Sequence, residues 1–397
     1  MNDIVVQKYG GSSLADSDKI KRVAQKIRNR VSEGYKLVVI VSAMGETTNR
    51  LIELAKEVSS KPHPRELDML LTTGEQVSAA LLSMSLNDLK VETKSLNAFQ
   101  AGIFTSSNFS EARIQKFKVE KILKLLEDHD VLVITGFQGI TKEGDLTTLG
   151  RGGSDISAVA LSAAVGTHCE IYSDFPGIFT FDPRLHRNAK KLKYVTYDEI
   201  LEMASLGARV LHSRAVEIAK KYDVKIYCAS TFSEEEGTYV VADNIEQPVV
   251  TGMSVMENQT QVTIANLPLN YSLVYKIFDE MAQKAFNVDM ISIISINNKL
   301  NISFTIIEEE MENFDRYLKE ALSSFDEISV NYEHGYVKLS VVGIGMRNEK
   351  GVASRFFKSL RDIPIKMVTT SEIKISCLIE KEYMKKATDA LIKEFDL

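Results

Sequence analysis

Five short apolar runs, Ile4 to Val6, Leu37 to Val41, Val131 to Ile134, Ile171 to Tyr172 and Val224 to Tyr227, punctuate the first part of the chain, with helix-patterned stretches between them. Brief, mostly β-branched runs without polar alternation are what strands covered on both faces require. Between the first two, Ile20, Val23, Ile27 and Val31 fall at helical spacing, with Asp16 or Ser17 available as N-cap. Strand, helix, strand in repetition predicts an α/β domain, a mostly parallel sheet sandwiched by helices. The 397 residues leave room for roughly two to three domains.

Composition removes several classes of function. Forty-eight Lys and Arg against fifty-four Asp and Glu give a net charge of −6, and a broad basic face for nucleic acid is not what such a balance provides. No apolar stretch approaches the length of a membrane span, and the apolar run before Lys8 is too short for a signal peptide. Three widely spaced cysteines, Cys169, Cys228 and Cys377, support neither a disulfide framework nor a zinc knuckle. The expected compartment is the cytoplasm, with no membrane and no nucleic acid as partner.

The pattern changes after the charged turn Ser233-Glu234-Glu235-Glu236-Gly237, the best linker candidate. Beyond it Gln261 to Phe325 and Tyr336 to Phe395 each read strand, loop, helix, strand, strand, helix, and Ile302 to Ile306 echoes Ile375 to Ile379. Units this small lack an independent core, so the two are expected to pack together. The expected divisions are 1–240, 250–332 and 333–397.

Five clusters carry chemistry. Lys8-Tyr9-Gly10-Gly11-Ser12-Ser13 closes the first strand and opens the first helix, placing backbone N–H groups and one full positive charge where an anion can sit. Thr147 to Asp155 sets three glycines around Arg151, a planar bidentate donor suited to carboxylate or phosphate. Ser42 to Thr48 again follows a strand's carboxyl end, where open α/β sheets bind ligands. Thr73-Gly74-Glu75 puts a lone carboxylate into an apolar helix, which requires a cation such as Arg151 or a ligand's ammonium. Ser173-Asp174-Phe175-Pro176-Gly177 ends another strand and leads to Phe179 and Arg184. His212 reads as a satisfied helix-flanking histidine.

KYGGSS, VSAMGETTNRL, TTGEQVS, GFQGITKEGDLTTLGRGGSD, IYSDFPGIFTFDPR and MASLGARVLHSRAVE resemble, in order and spacing, the signature segments of aspartokinases in the amino acid kinase superfamily, and the repeat pair resembles their two ACT regulatory modules. The resemblance implies an amino acid kinase fold followed by two α+β ACT-like modules. It implies phosphorylation of the L-aspartate side-chain carboxylate by ATP with Mg2+. Lys8, with the amides of Gly10 and Gly11, would hold the phosphates, and Asp155 would orient Lys8. Arg151, Glu75, Thr47, Gly152, Gly153 and Ser154 would hold the substrate. Tyr9, Ser173, Asp174, Phe179, Arg184 and Arg209 would line the nucleotide side. No dedicated carboxylate cage for magnesium is readable, which leaves the ion to phosphates and water.

Two departures stand out: Phe179 replaces a frequent tyrosine, and Ser213 a frequent proline. The first repeat keeps Asn287-Val288-Asp289, a candidate amino acid effector site, while the second has Pro364-Ile365-Lys366. Lysine is the favoured effector, because Asp289 could pair its ε-ammonium. A homodimer is expected, with a tetramer or a separately translated regulatory subunit, starting at Met253 or Met256, as alternatives. The rival readings are another acid kinase of the superfamily, or a catalytically silent amino acid sensor.

Overall fold

The structure, a computed structural model, describes residues 3–206, 211–243, 248–322 and 327–397. The chain divides into two units. The first holds Met1–Phe179, Lys190–Ser205 and the described residues from 211 to 243, and the second holds Gln247–Leu397 together with the segment Thr180–Ala189.

The first unit is built on an eight-stranded sheet in the order Tyr194–Thr196, Thr238–Val241, Ile226–Ser230, Cys169–Ser173, Ile4–Tyr9, Lys36–Val41, Val131–Thr135, Thr93–Leu96. Every neighbouring pair is parallel except Ile226–Ser230 with Thr238–Val241. Helices Ser17–Ser32 and Thr73–Asp88 bury Ile20, Val23, Ile27, Ala79, Leu82 and Leu86 against one face of the central strands. Helix Gly153–Val165 packs on Ile4–Tyr9, Lys36–Val41 and Cys169–Ser173. The first helix is capped by Asp16, whose carboxylate accepts the Lys19 N–H at 2.9 Å, which decides between the two candidate caps. A second, four-stranded sheet of short segments, Ile114–Phe117, Ile103–Thr105, Gln138–Ile140 and Leu146–Thr148, was not readable from the sequence.

The Ser233 to Gly237 turn is not a linker. It joins Ile226–Ser230 to Thr238–Val241, antiparallel neighbours of the same sheet, and a charged surface turn has the same composition in a hairpin as between domains.

The second unit contains one antiparallel sheet ordered Asp289–Ile296, Lys299–Ile307, Gly252–Pro268, Ser329–Val342, Lys374–Glu380, Met367–Thr370. The two sequence repeats are nested in it. The long strand Gly252–Pro268 pairs through Gln261–Ala265 with Ser329–Glu333, and through Gly252–Met256 with Lys338–Val342. Its second half opens the first module, closed by the early residues of Ser329–Val342, over a core of Val262, Ile264, Phe304 and Phe314. Its first half is the closing strand of the second module, over a core of Met253, Val337, Leu339, Phe356 and Leu391. Both modules therefore have the strand order fourth, first, third, second, and the second begins before the first. A boundary at 332/333 cuts a continuous strand.

Phe181, 3 % exposed, belongs to the core of the second module, and the Met253 N–H donates to the Thr180 carbonyl at 2.7 Å. The Thr180–Ala189 segment thus departs from a simple boundary near residue 240.

Candidate active site

Parallel strands present their carboxyl ends on one edge of the first sheet. There Ile4–Tyr9 lies between Lys36–Val41 and Cys169–Ser173, with Lys8 opposite Ile40 and Ile171. A cavity of about 300 Å³ opens at this edge, lined by residues that include Lys8, Gly11, Thr48, Glu75, Phe137 and Arg151 to Asp155.

Lys8 Nζ stands 2.6 Å from Asp155 Oδ1, an ion pair set off the hydrogen-bonding direction, and both side chains are mostly buried. Asp155 occupies the first turn of helix Gly153–Val165, where the earliest helical bond runs from Ile156 N–H to Gly152 C=O at 3.1 Å. The amides of Ser154 and Asp155 precede it, so the helix leaves them without an internal acceptor. The turn Gly11–Leu14 does the same for Gly11 and Ser12, its first bond running from Ser13 N–H to Gly10 C=O at 3.0 Å. Gly11 is required by contact: a Cβ there would lie 2.6 Å from the Ala43 carbonyl oxygen. Gly152 is required by conformation, with φ of 69° and the His212 ring seated where its Cβ would go.

Glu75 is 3 % exposed. Its Oε1 accepts the Ala43 N–H at 3.1 Å, while Oε2 is buried without a partner. Burial pushes its carboxyl up to about 7, against the backbone hydrogen bonds that stabilise the anion. The cavity thus offers a cationic, amide-rich wall and an unsatisfied carboxylate on one side of it. It suits a ligand set with several negative charges and one ammonium.

Sequence models locate the same division of labour: that of the Amino acid kinase family matches residues 3–230, and that of the ACT domain matches 339–395. Aspartokinase from Helicobacter pylori (strain ATCC 700392 / 26695) is 42% identical over 404 residues, 99% of each chain. Aspartokinase from Geobacillus stearothermophilus is 43% identical over 400 residues, 99% of this chain and 97% of its own. This chain belongs to the aspartokinase family. Its activity is that of an aspartate kinase. The fold agrees: E. coli aspartokinase III in complex with aspartate and ADP superposes with a TM-score of 0.82 over 100% of both chains at 23% identity.

For an aspartokinase, the cavity gathers Lys8, Gly11, Glu75, Arg151, Gly152, Gly153, Ser154 and Asp155 as expected from the sequence. Other expected residues stand differently. Tyr9 is fully buried, stacked on Tyr172 at 5.1 Å with its hydroxyl donating to Gln7, because alternation along the strand turns it away from Lys8. Gly10 donates its N–H to the Tyr172 carbonyl at 3.2 Å, continuing the sheet ladder, so that amide does not face a ligand. The Thr47 hydroxyl donates to the Met44 carbonyl at 2.6 Å, and it is Thr48 that lines the cavity. Glu75 is not paired with Arg151.

On the expected nucleotide side, the Ser173 hydroxyl accepts the Phe175 N–H at 3.2 Å, Asp174 is exposed, and Phe179 forms a β-bridge with Lys191. Arg184 lies in the Thr180–Ala189 segment of the second unit and pairs with Asp182 at 2.6 Å. Arg209 lies outside the described residues. His212 flanks helix Ser213–Tyr222 as expected, but its Nδ1 is buried without a partner rather than satisfied. In the second unit Asn287 and Asp289 are exposed and Val288 half-buried, yet Asp289 is not free for a ligand's ammonium: it is ion-paired with Lys338.

Sequence reasoning missed Phe137 and the Ala43 amide. Phe137 sits in the Gly136 to Gly139 turn, whose position after a strand was the available signal; the partner of a backbone N–H has none.

Proposed function

We propose that the cavity transfers the γ-phosphate of ATP to the side-chain carboxylate of L-aspartate, giving 4-phospho-L-aspartate, the first step toward lysine, threonine and methionine. The observation that carries this is the pairing of a held cation, Lys8 with Asp155, and an unsatisfied buried carboxylate, Glu75, around one cavity. An aspartate side chain, with a pKa near 3.9, is already ionised at neutral pH, so the attack needs no general base. What the protein supplies is alignment of two anions and neutralisation of charge.

Lys8 and the Gly11 and Ser12 amides face the phosphates, and Asp155 fixes the Lys8 ammonium. Arg151 takes a substrate carboxylate, Glu75 its ammonium, and Ser154 and Thr48 offer hydroxyls. Among the described residues no group of three or more His, Cys, Asp or Glu gathers to hold a metal. The donor set fits an ion carried in by the phosphates, Mg2+, which would draw charge off the phosphoryl oxygens when bound. Ser173, Asp174 and Phe179, all in the first unit, are assigned to the nucleotide.

The strand order shared by both modules supports reading the pair as ACT modules, and through them feedback control by an end-product amino acid. Strand Asp289–Ile296 is an edge that exposes Ile291, Ile293, Ile294 and Ile296. An apolar edge calls for a cover, which supports a homodimer closed through it. Ile294→Lys should lower the mass measured by light scattering from dimer to monomer. No helix among the described residues is long and apolar enough to cross a membrane.

Trapping the acyl phosphate with hydroxylamine tests the reaction. Product is expected with aspartate and not with glutamate, and Lys8→Ala should lower kcat roughly a hundredfold to a thousandfold or more; because it leaves the mostly buried Asp155 carboxylate without its cation, the melting temperature should fall as well. Absence of product with any acid would favour the silent sensor, whose weakness is that Lys8, Glu75, Arg151 and Asp155 are all intact.

A further inference from the structure

Asp68 is fully buried in helix Pro64–Leu71, and among the described residues no cation pairs with it. Uncharged donors hold it instead. Its Oδ2 accepts the Ser110 and Thr148 N–H groups, each at 2.8 Å, and its Oδ1 accepts their hydroxyls at 3.2 and 2.9 Å. Burying a carboxylate on such terms is costly, but its side chain offers acceptors alone, about four of them, and here it grips two segments at once. Both segments back the turn that carries Arg151. Thr148 ends strand Leu146–Thr148, just before Gly150. Ser110 has φ of 69°, a left-handed conformation that a non-glycine residue adopts only when held, and its carbonyl oxygen lies 3.0 Å from where a Cβ on Gly150 would stand. The Ala112 N–H donates to the Thr148 carbonyl at 2.9 Å, and the Arg214 guanidinium donates to the Leu149 and Ala112 carbonyls at 2.5 and 3.1 Å, closing the frame from the other side. Arg151 is exposed, so the backbone beneath it sets its reach. On its own element Asp68 precedes Glu75 by about two helical turns. Helix Pro64–Leu71 passes through Thr72, with φ of −63° and ψ of −12°, into Thr73–Asp88.

We propose that Asp68 is a positioning residue for the amino acid substrate: its carboxylate ties the helix that carries Glu75 to the turn that carries Arg151, and so fixes the spacing of the two groups that take the ammonium and a carboxylate of aspartate. This rests on the assignment of Glu75 and Arg151 to aspartate. Asp68 touches neither group and does not line the cavity; it acts through the Ser110 and Thr148 backbone. Loosening that tie lets the Arg151 turn drift relative to Glu75, and a displacement on the order of 1 Å costs a binding site heavily. The phosphate side does not depend on it. Lys8 sits in the inner strand Ile4–Tyr9, and Asp155 in a helix packed on three strands.

The test is steady-state kinetics on the full chain, with aspartate and ATP varied in turn, for the native protein, Asp68→Asn, Thr148→Val and Arg151→Ala. Asparagine keeps the shape of Asp68 but turns an N–H2 toward groups that are themselves donors. Asp68→Asn should raise KM for aspartate roughly tenfold to a hundredfold, with kcat and KM for ATP held within about twofold, the pattern of lost ground-state positioning. Thr148→Val removes a single hydroxyl from the cluster at nearly constant volume, so it should fold and raise KM for aspartate by a smaller factor, roughly threefold to tenfold; it decides the question should Asp68→Asn fail to fold. An unchanged KM for aspartate in Thr148→Val, or a loss shared equally by kcat or by KM for ATP, as a general loosening of the fold would give, overturns the proposal. Arg151→Ala separates the two readings. If it leaves KM for aspartate unaltered, the assignment of Arg151 is wrong and the proposal goes with it; if it raises KM and the other two variants do not, only the role of Asp68 is wrong.

Discussion

At the scale of single residues, Glu75 decides how the site responds to pH. Its folded pKa of about 7 lies above the ordinary 4.5 because the carboxyl is buried and one oxygen has no partner. A raised pKa means that the folded state holds the proton more tightly, so this contribution is complete below pH 4.5 and disappears as pH rises through 7, about 3 kcal/mol in all. Free enzyme should lose melting temperature between about pH 4.5 and 7 and level off above that, and Glu75→Gln should flatten that decline. Substrate binding has the opposite slope, because an ammonium requires the ionised carboxylate. KM for aspartate should rise toward tenfold per unit below about pH 7 and become insensitive to pH in Glu75→Gln. Glu75 was legible in the sequence because a carboxylate inside an apolar helix is chemically out of place; Lys8, Arg151 and Asp155 were legible because glycines surround them. Thr47 and Gly10 were misplaced for a different reason: whether a hydroxyl or an amide faces a cavity depends on which local acceptor reaches it first, and composition does not record that.

At the scale of elements, the turn between Gly150 and Gly153 is the least tolerant part of the site. Gly152 has left-handed backbone and the His212 ring occupies the space a Cβ would need. Gly152→Ala should therefore destabilise by about 1–3 kcal/mol and raise KM for aspartate by displacing Arg151. Adding His212→Gly should recover part of the loss, since it removes the clash and leaves only the backbone strain; equal damage with and without it would show that the ring is not what the turn leans on. Five of the six inner strands were read from their apolar runs, because covered strands carry few polar side chains, while the sixth, Thr238–Val241, was not. Thr93–Leu96 and Tyr194–Thr196, at the two edges of the sheet, were not seen: they are short and partly polar, and a neighbour's hydrogen bonds rather than their own side chains make them strands.

At the scale of the whole molecule, the repeat was visible in the sequence and its nesting was not, because Gly252 to Met256 resembles any short strand until its partner is known. An internal start at Met253 would retain most of the stretch that pairs with Lys338–Val342; a start at Met256 would discard Met253, which is buried in the second module's core. A fragment from Met253 should unfold cooperatively, whereas one from Met256 should lose about 2–5 kcal/mol or fail to fold, as denaturant titration would measure. The nested order also has a temporal side. A ribosome releases the strand at Gly252 long before Val342, with the entire first module emerging in between; at 5–20 residues per second the early strand waits roughly five to twenty seconds for its partner. During that interval it is an open β-edge in a crowded cell, and the first module, completed meanwhile, is what holds its end in place until the rest of the chain arrives.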